Sequence, residues 1–166
     1  MLATDTTWSS ERPRGGSGSV RVELWVPCGK RGEFEAVIDR LEDAERRGVI
    51  DGFSVEGWDR HVDLSGQLSP REKTVRERLT SFARWAVLNG EQLPGLGEPV
   101  VKGVGRMGPE RLTRRAPRAV LAEYEDGVLA RVTACEECVG ALRDRVCDLD
   151  DEFDRTHPVE PVTVES

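Results

Sequence analysis

Lysine is nearly absent from this chain. Lys30, Lys73 and Lys102 are the whole set among 24 basic residues, so arginine carries almost all the positive charge. Positive charge is itself in deficit, 24 basic against 31 acidic side chains, for a net charge of −7. That balance argues against a surface wholly dedicated to nucleic acid, because neutralising phosphates takes clustered Lys and Arg. Acid excess with arginine in place of lysine suits a GC-rich, salt-adapted cytoplasm. No apolar run approaches the roughly 20 residues needed to cross a bilayer, which excludes a spanning helix and a membrane partner. The opening "MLATDTTWSSERPRGGSGS" has no apolar stretch either, so no secretory signal is expected. Four cysteines without a signal point to reduced thiols in a cytoplasmic protein rather than to a disulfide framework.

What is present suits one domain with a real core. Residues 1–18 have no period and are rich in Ser, Gly and Thr, the composition of a disordered tail. The domain is expected over 19–149, followed by an acidic tail over 150–166. "SVRVELWVP" alternates, with Val20, Val22, Leu24 and Val26 on one face and Arg21, Glu23 and Trp25 on the other, as a strand does. Phe34, Val37, Ile38, Leu41 and Ala44 then recur at helical spacing, and Gly48 stands where a helix ends. A second strand is expected from Phe53 to Trp58, parallel to the first across this helix. "SPREKTVRERLTSFARWAVLNG" is the strongest helix: Ser69 caps it, Pro70 is its first residue, Glu72 completes a capping pattern, and Asn89-Gly90 ends it. Residues 91–117, rich in glycine and proline, are expected to form a loop or an irregular strand. "RAVLAEYEDGVLARVTA" reads as a hairpin turning at Asp126-Gly127. A last helix is expected over Glu136 to Leu149, burying Val139, Leu142 and Val146.

The resulting order is β-α-β-α-β-β-α, an α/β sandwich with a four-stranded mixed sheet and helices on both faces. Two stretches make it resemble the thioredoxin-like fold. "VELWVPCGKRGEFEAVIDRLEDA" is similar to that family's strand, cysteine turn and helix, and the resemblance places Cys28 at the nucleophile position. "RAPRAVLAEYEDGVLARV" is similar to the segment in which a cis-proline opens the hairpin, a role that falls to Pro117. The motif is C-G-K-R, so Arg31 stands where the resolving cysteine would be, and the resemblance is to a degenerate member. The chain also resembles a set of uncharacterised haloarchaeal proteins of similar length, some labelled as helix-turn-helix proteins, which share the early strand–helix–strand and a late Y-E-D-G hairpin ending near cysteine.

Cys28 is a candidate reactive residue because it precedes a helix and is followed by Lys30 and Arg31; the alternative is a small residue packed at a strand end. Cys135 and Cys138 have the C-x-x-C spacing of a metal knuckle, which needs two further ligands. Cys147 lies nine residues beyond Cys138, about 13 Å along a helix and on its opposite face. The remaining set that the topology could gather is Cys28, His61, Cys135 and Cys138; no metal and no cofactor is expected. "KGVGRMGPERLTRRAPR" is the one basic patch, with Lys102, Arg106, Arg111, Arg114, Arg115 and Arg118 against Glu110 alone. It fits nucleic-acid phosphates or an acidic protein partner, or else a solvated loop whose arginines pair with nearby acids. Three functions are therefore expected in turn. The first is a non-enzymatic or degenerate-redox interaction and thiol-sensing protein. The second is a DNA-binding transcriptional regulator using segment 102–118. The third is a single-cysteine thiol oxidoreductase.

Overall fold

The computed structural model describes residues 19–102, 111–137 and 139–156. The first strand, β1 (Val20–Pro27), leads through a short 3-10 turn (Arg31–Phe34) into α1 (Glu35–Arg46). Gly48 closes α1 at φ 83°, a left-handed conformation that only glycine adopts without strain. Next come β2 (Gly52–Trp58) and a three-residue strand, β3 (His61–Asp63). The long helix α2 (Pro70–Leu88) starts with a full capping box: the Ser69 hydroxyl accepts from the Glu72 amide while the Glu72 carboxylate accepts from the Ser69 amide. Two further short strands, β4 (Val100–Lys102) and β5 (Arg111–Arg115), precede the hairpin of β6 (Ala119–Glu125) and β7 (Val128–Cys135). Asp126 and Gly127 turn that hairpin with φ of 54° and 85°, and the Asp126 carboxylate accepts from the Ser19 amide. The chain ends in α3 (Gly140–Thr156).

The main sheet has the order β2-β1-β6-β7, with β1 parallel to β2 and antiparallel to β6. The four-stranded mixed sheet expected from the sequence is therefore present, and the strand over 20–27 neighbours the one over 119–125. On one face, Val22, Leu24 and Val26 of β1 meet Phe34, Ile38 and Leu41 beside α1 and Leu142 and Val146 of α3. On the other, Trp25 and Trp58 meet Val75, Leu79 and Phe82 of α2. Strand β6 is buried on both sides, which is why its residues read as a near-continuous apolar run.

Three expectations need correction. Residues 91–117, expected as a loop or an irregular strand, hold two strands that enter a second sheet not expected from the sequence: β5 pairs with β3 and β4 to make three strands beside α2, with Val62 and Ala116 in the core. Segments this short carry too little alternation to stand out. No described peptide bond is cis, so the bond before Pro117 is trans and the cis-proline expected there does not form. The last helix runs past Leu149 to Thr156, because Phe153 packs on the core and Asp150 accepts from Arg47 at 2.9 Å. Arg106, Cys138 and the segments 1–18 and 157–166 lie outside the described residues. Among the described residues no helix follows another through a short turn: β2 and β3 separate α1 from α2, and four strands separate α2 from α3.

Candidate nucleic-acid interface and thiol cleft

Cys28 follows β1 directly, and its amide donates to the Trp58 carbonyl at 3.0 Å. Gly57 permits this close approach, since a Cβ there would come within 3.2 Å of the Cys28 Sγ. The thiol is exposed and lines a cleft of about 440 Å³ with His61 and Asp63 of β3 and with Ser69, Arg71 and Glu72 at the start of α2. Hydrogen bonds from the Ser69 amide and hydroxyl hold the Glu72 carboxyl below its usual range, and Arg71 donates to the Gly57 carbonyl at 2.5 Å. Cys28 and His61 thus share one site. Cys135 does not join them: it is buried under α1 and α3 on the opposite face of the sheet, and β6 stands between its strand and β1. Among the described residues no three His, Cys, Asp or Glu side chains gather as a metal site.

The described members of the arginine run sit on and just after β5, and each is engaged. Arg111 pairs with Asp63 at 3.3 Å, and Arg114 donates to the Gly97 carbonyl at 2.7 Å. Arg115 pairs with Glu136 at 2.6 Å. Arg118 reaches Glu33 and lies over the Phe34 ring at 5.4 Å from its centroid. Arg111 and Arg115 remain exposed. The carboxylates they meet are less so, Asp63 at 28% and Glu136 at 23%, so a phosphate would have to displace a partly buried partner.

Glu136 is a junction that the sequence did not reveal. Its carboxylate accepts from Arg60 at 2.6 Å, from Arg115 at 2.6 Å and from the Arg118 amide at 3.1 Å, tying the two sheets together. Gly95, at φ 88°, leaves the room this carboxylate occupies. Burial alone would raise the Glu136 carboxyl; the Arg60 and Arg118 hydrogen bonds and the charges of Arg60 and Arg115 outweigh it and lower it below 4.5. A depressed folded-state value stabilises the fold above the unfolded value and loses that contribution as pH falls through the folded one. Glu136→Gln should therefore cost about 1–2 kcal/mol at neutral pH, and the gap to the parent should close below about pH 4. Urea melts across pH 3–7 measure this, and a gap constant down to pH 3 would contradict it.

Beneath α2, the Glu23 carboxylate accepts from Arg78, from the Trp25 indole at 3.0 Å and from the Tyr124 hydroxyl at 3.2 Å. Burial first, and then the Glu23 charge, push the Tyr124 phenol up from its ordinary value. This network anchors α2 by one flank and is saturated, with nothing left to offer a ligand.

Charge is divided between the two faces of the main sheet. α1 carries Arg40 and Arg46 against Glu35, Asp39, Glu42, Asp43 and Glu45. In α3, Arg143, Arg145 and Arg155 stand against six acids between Asp144 and Asp154. α2 reverses the balance, with Arg71, Lys73, Arg76, Arg78 and Arg84 against Glu72 and Glu77. The opposite side of the molecule from α1 and α3 is therefore locally basic despite the net charge of −7.

No helix of the structure is long and apolar enough to cross a membrane, among the described residues. No curated protein and no solved structure matches the chain. A family model described as a helix-turn-helix domain matches residues 14–160, which takes in every element from β1 to α3. The chain belongs to this helix-turn-helix domain family.

Proposed function

We propose that the protein is a DNA-binding transcriptional regulator. Family membership over residues 14–160 carries this reading, and the basic side of the molecule, built from α2 and the arginine-bearing second sheet, agrees with it. Because strands separate the three described helices, DNA contact here belongs to a mixed α/β scaffold rather than to two helices joined by a short turn. Within that scaffold we read the four-stranded sheet as a degenerate thioredoxin-like unit. The order β2-β1-β6-β7 with a parallel β1–β2 pair supports this, while Arg31 and the trans bond before Pro117 weigh against dithiol chemistry. Arg106, Arg111, Arg114, Arg115 and Arg118 are the phosphate contacts suggested by the sequence; the described four must give up present partners to serve. A labelled mixed-sequence duplex should shift in a gel at low salt, with affinity falling linearly in log salt. A chain that gives no shift at about 50 mM salt is not a DNA-binding protein of this kind.

A second reading, thiol sensing at Cys28, is supported by the exposure of that thiol and by the cleft it shares with His61. Iodoacetamide should label Cys28 ahead of buried Cys135, and faster than a cysteine in an unstructured peptide. A rate no greater than the peptide's would end that reading.

A further inference from the structure

The engaged arginines of β5 contrast with three cations on α2. Among the described residues, the side chains of Lys73, Arg76 and Arg84 have no hydrogen-bond or ion-pair partner. Helical phase explains why. Val75, Leu79, Phe82 and Ala86 form the stripe facing the sheet, and residues three and four apart on the far side are Lys73, Glu77, Thr80, Ser81 and Arg84, all exposed. Arg76 flanks that row and is half-buried.

We propose that this outer face of α2 is the surface that docks on duplex DNA, and that the 111–118 arginines are not its main contacts. The inference rests on the DNA-binding reading above and names the element that performs it. Three considerations support it. The first is charge: among the described residues α2 carries three unpaired cations and is the one basic helix of an acidic protein, whereas the unpaired Arg40 of α1 and Arg143 of α3 stand among acids, so polyanion approach is favoured at α2 and opposed at α1 and α3. Energetics gives the second, since an unpaired cation meets a phosphate without breaking an internal bond, whereas Arg115 and Arg118 must leave Glu136 and Glu33. The third is shape. A helix about 10–12 Å across fits the major groove, roughly 12 Å wide. Lys73 and Arg84 lie about 16 Å apart along its axis, a span that reaches backbone on both sides. Thr80 and Ser81, between them, present hydroxyls that donate to or accept from base edges, and Glu77 can accept from cytosine N4.

The test compares three proteins by anisotropy on one fluorescein-labelled mixed-sequence duplex across a salt series: the parent, Lys73→Ala/Arg76→Ala/Arg84→Ala, and Arg111→Ala/Arg114→Ala/Arg115→Ala. Lys73 and Arg84 are exposed and Arg76 is half-buried, positions at which a helix accepts alanine, and circular dichroism with a thermal melt checks that this variant is folded. Affinity of the α2 variant should fall at least about ten-fold, and the slope of log K against log salt should flatten by about 2–3. The second variant should keep most of its affinity. If the parent binds and the α2 variant binds equally well, this inference is overturned while the DNA-binding reading stands. Loss confined to the 111–115 variant overturns it too, in favour of the arginine run. A parent that does not bind duplex overturns both.

Discussion

Replacing Arg145 with Ala is expected to lower stability by about 3–5 kcal/mol. Arg145 lies in α3 with its side chain 10% exposed, and Glu123 on β6 is 6% exposed. Two parallel bonds join them, Nε to Oε2 at 2.7 Å and Nη2 to Oε1 at 3.0 Å, and Arg145 also donates to Glu152 at 3.0 Å. The Glu123 hydrogen bond and charge hold the guanidinium protonated against the burial that opposes it. Truncation takes both guanidinium bonds from the Glu123 carboxylate under α3, which lies beside Val22 across the β1–β6 ladder and opposite Arg131 across the β6–β7 ladder. The cost comes from that buried charge rather than from the worth of the pair, which leads to a second expectation. Glu123→Leu/Arg145→Met should recover most of the loss, because well-packed apolar replacements of buried pairs are often neutral. Urea denaturation of parent, single and double variants measures both. A single-variant loss under about 1 kcal/mol would show the pair to be solvated like an ordinary surface bridge.

Such long-range pairs are also where sequence reading falls short. Local signals were legible wherever the determining atoms are close in the chain. The alternation of Val20 to Val26, the Ser69-Pro70 start of α2 with Glu72 three residues into the cap, and the Asp126-Gly127 turn each depend on neighbours within a few residues. From these alone the four-stranded sheet and its flanking helices follow. The arginine run was equally visible as a cluster, but its partners were not. Arg118 meets Glu33 from 85 residues away and Arg111 meets Asp63 from 48 away, and nothing local distinguishes a paired arginine from an open one. The second sheet escaped for a related reason, as β3 and β4 have three residues each and gain their stability from β5 and the core beneath α2. At the candidate site, Cys28 and His61 were named from their places after two strands, and the cleft joins them. Cys135 was grouped with them by the same topological rule, yet its side chain enters the other face. Register decides that, and a C-x-x-C spacing does not encode it.

The second large effect is at Trp58, which joins the main sheet to α2. It ends β2, is 1% exposed, and places its ring 5.2 Å from that of Trp25 and 6.2 Å from that of Phe82. Trp58→Ala should cost about 3–5 kcal/mol, from lost apolar burial and the cavity left between the three rings. Trp58→Phe should behave differently. The indole N–H is buried with no hydrogen-bond partner among the described residues, a defect that costs about 1–3 kcal/mol, and phenylalanine removes it. Against that gain stands the smaller ring, which gives up part of the contact with Trp25. The two terms are similar in size, so Trp58→Phe should fall within about 1 kcal/mol of the parent while Trp58→Ala does not. Trp58 also lines the cleft beside Cys28, so the alanine variant should expose that thiol further and speed its alkylation, whereas the phenylalanine variant should leave the rate unchanged. Paired thermal melts and iodoacetamide labelling of the two variants test this. A phenylalanine variant as unstable as the alanine one would mean that the indole N–H holds a partner worth more than the ring that carries it.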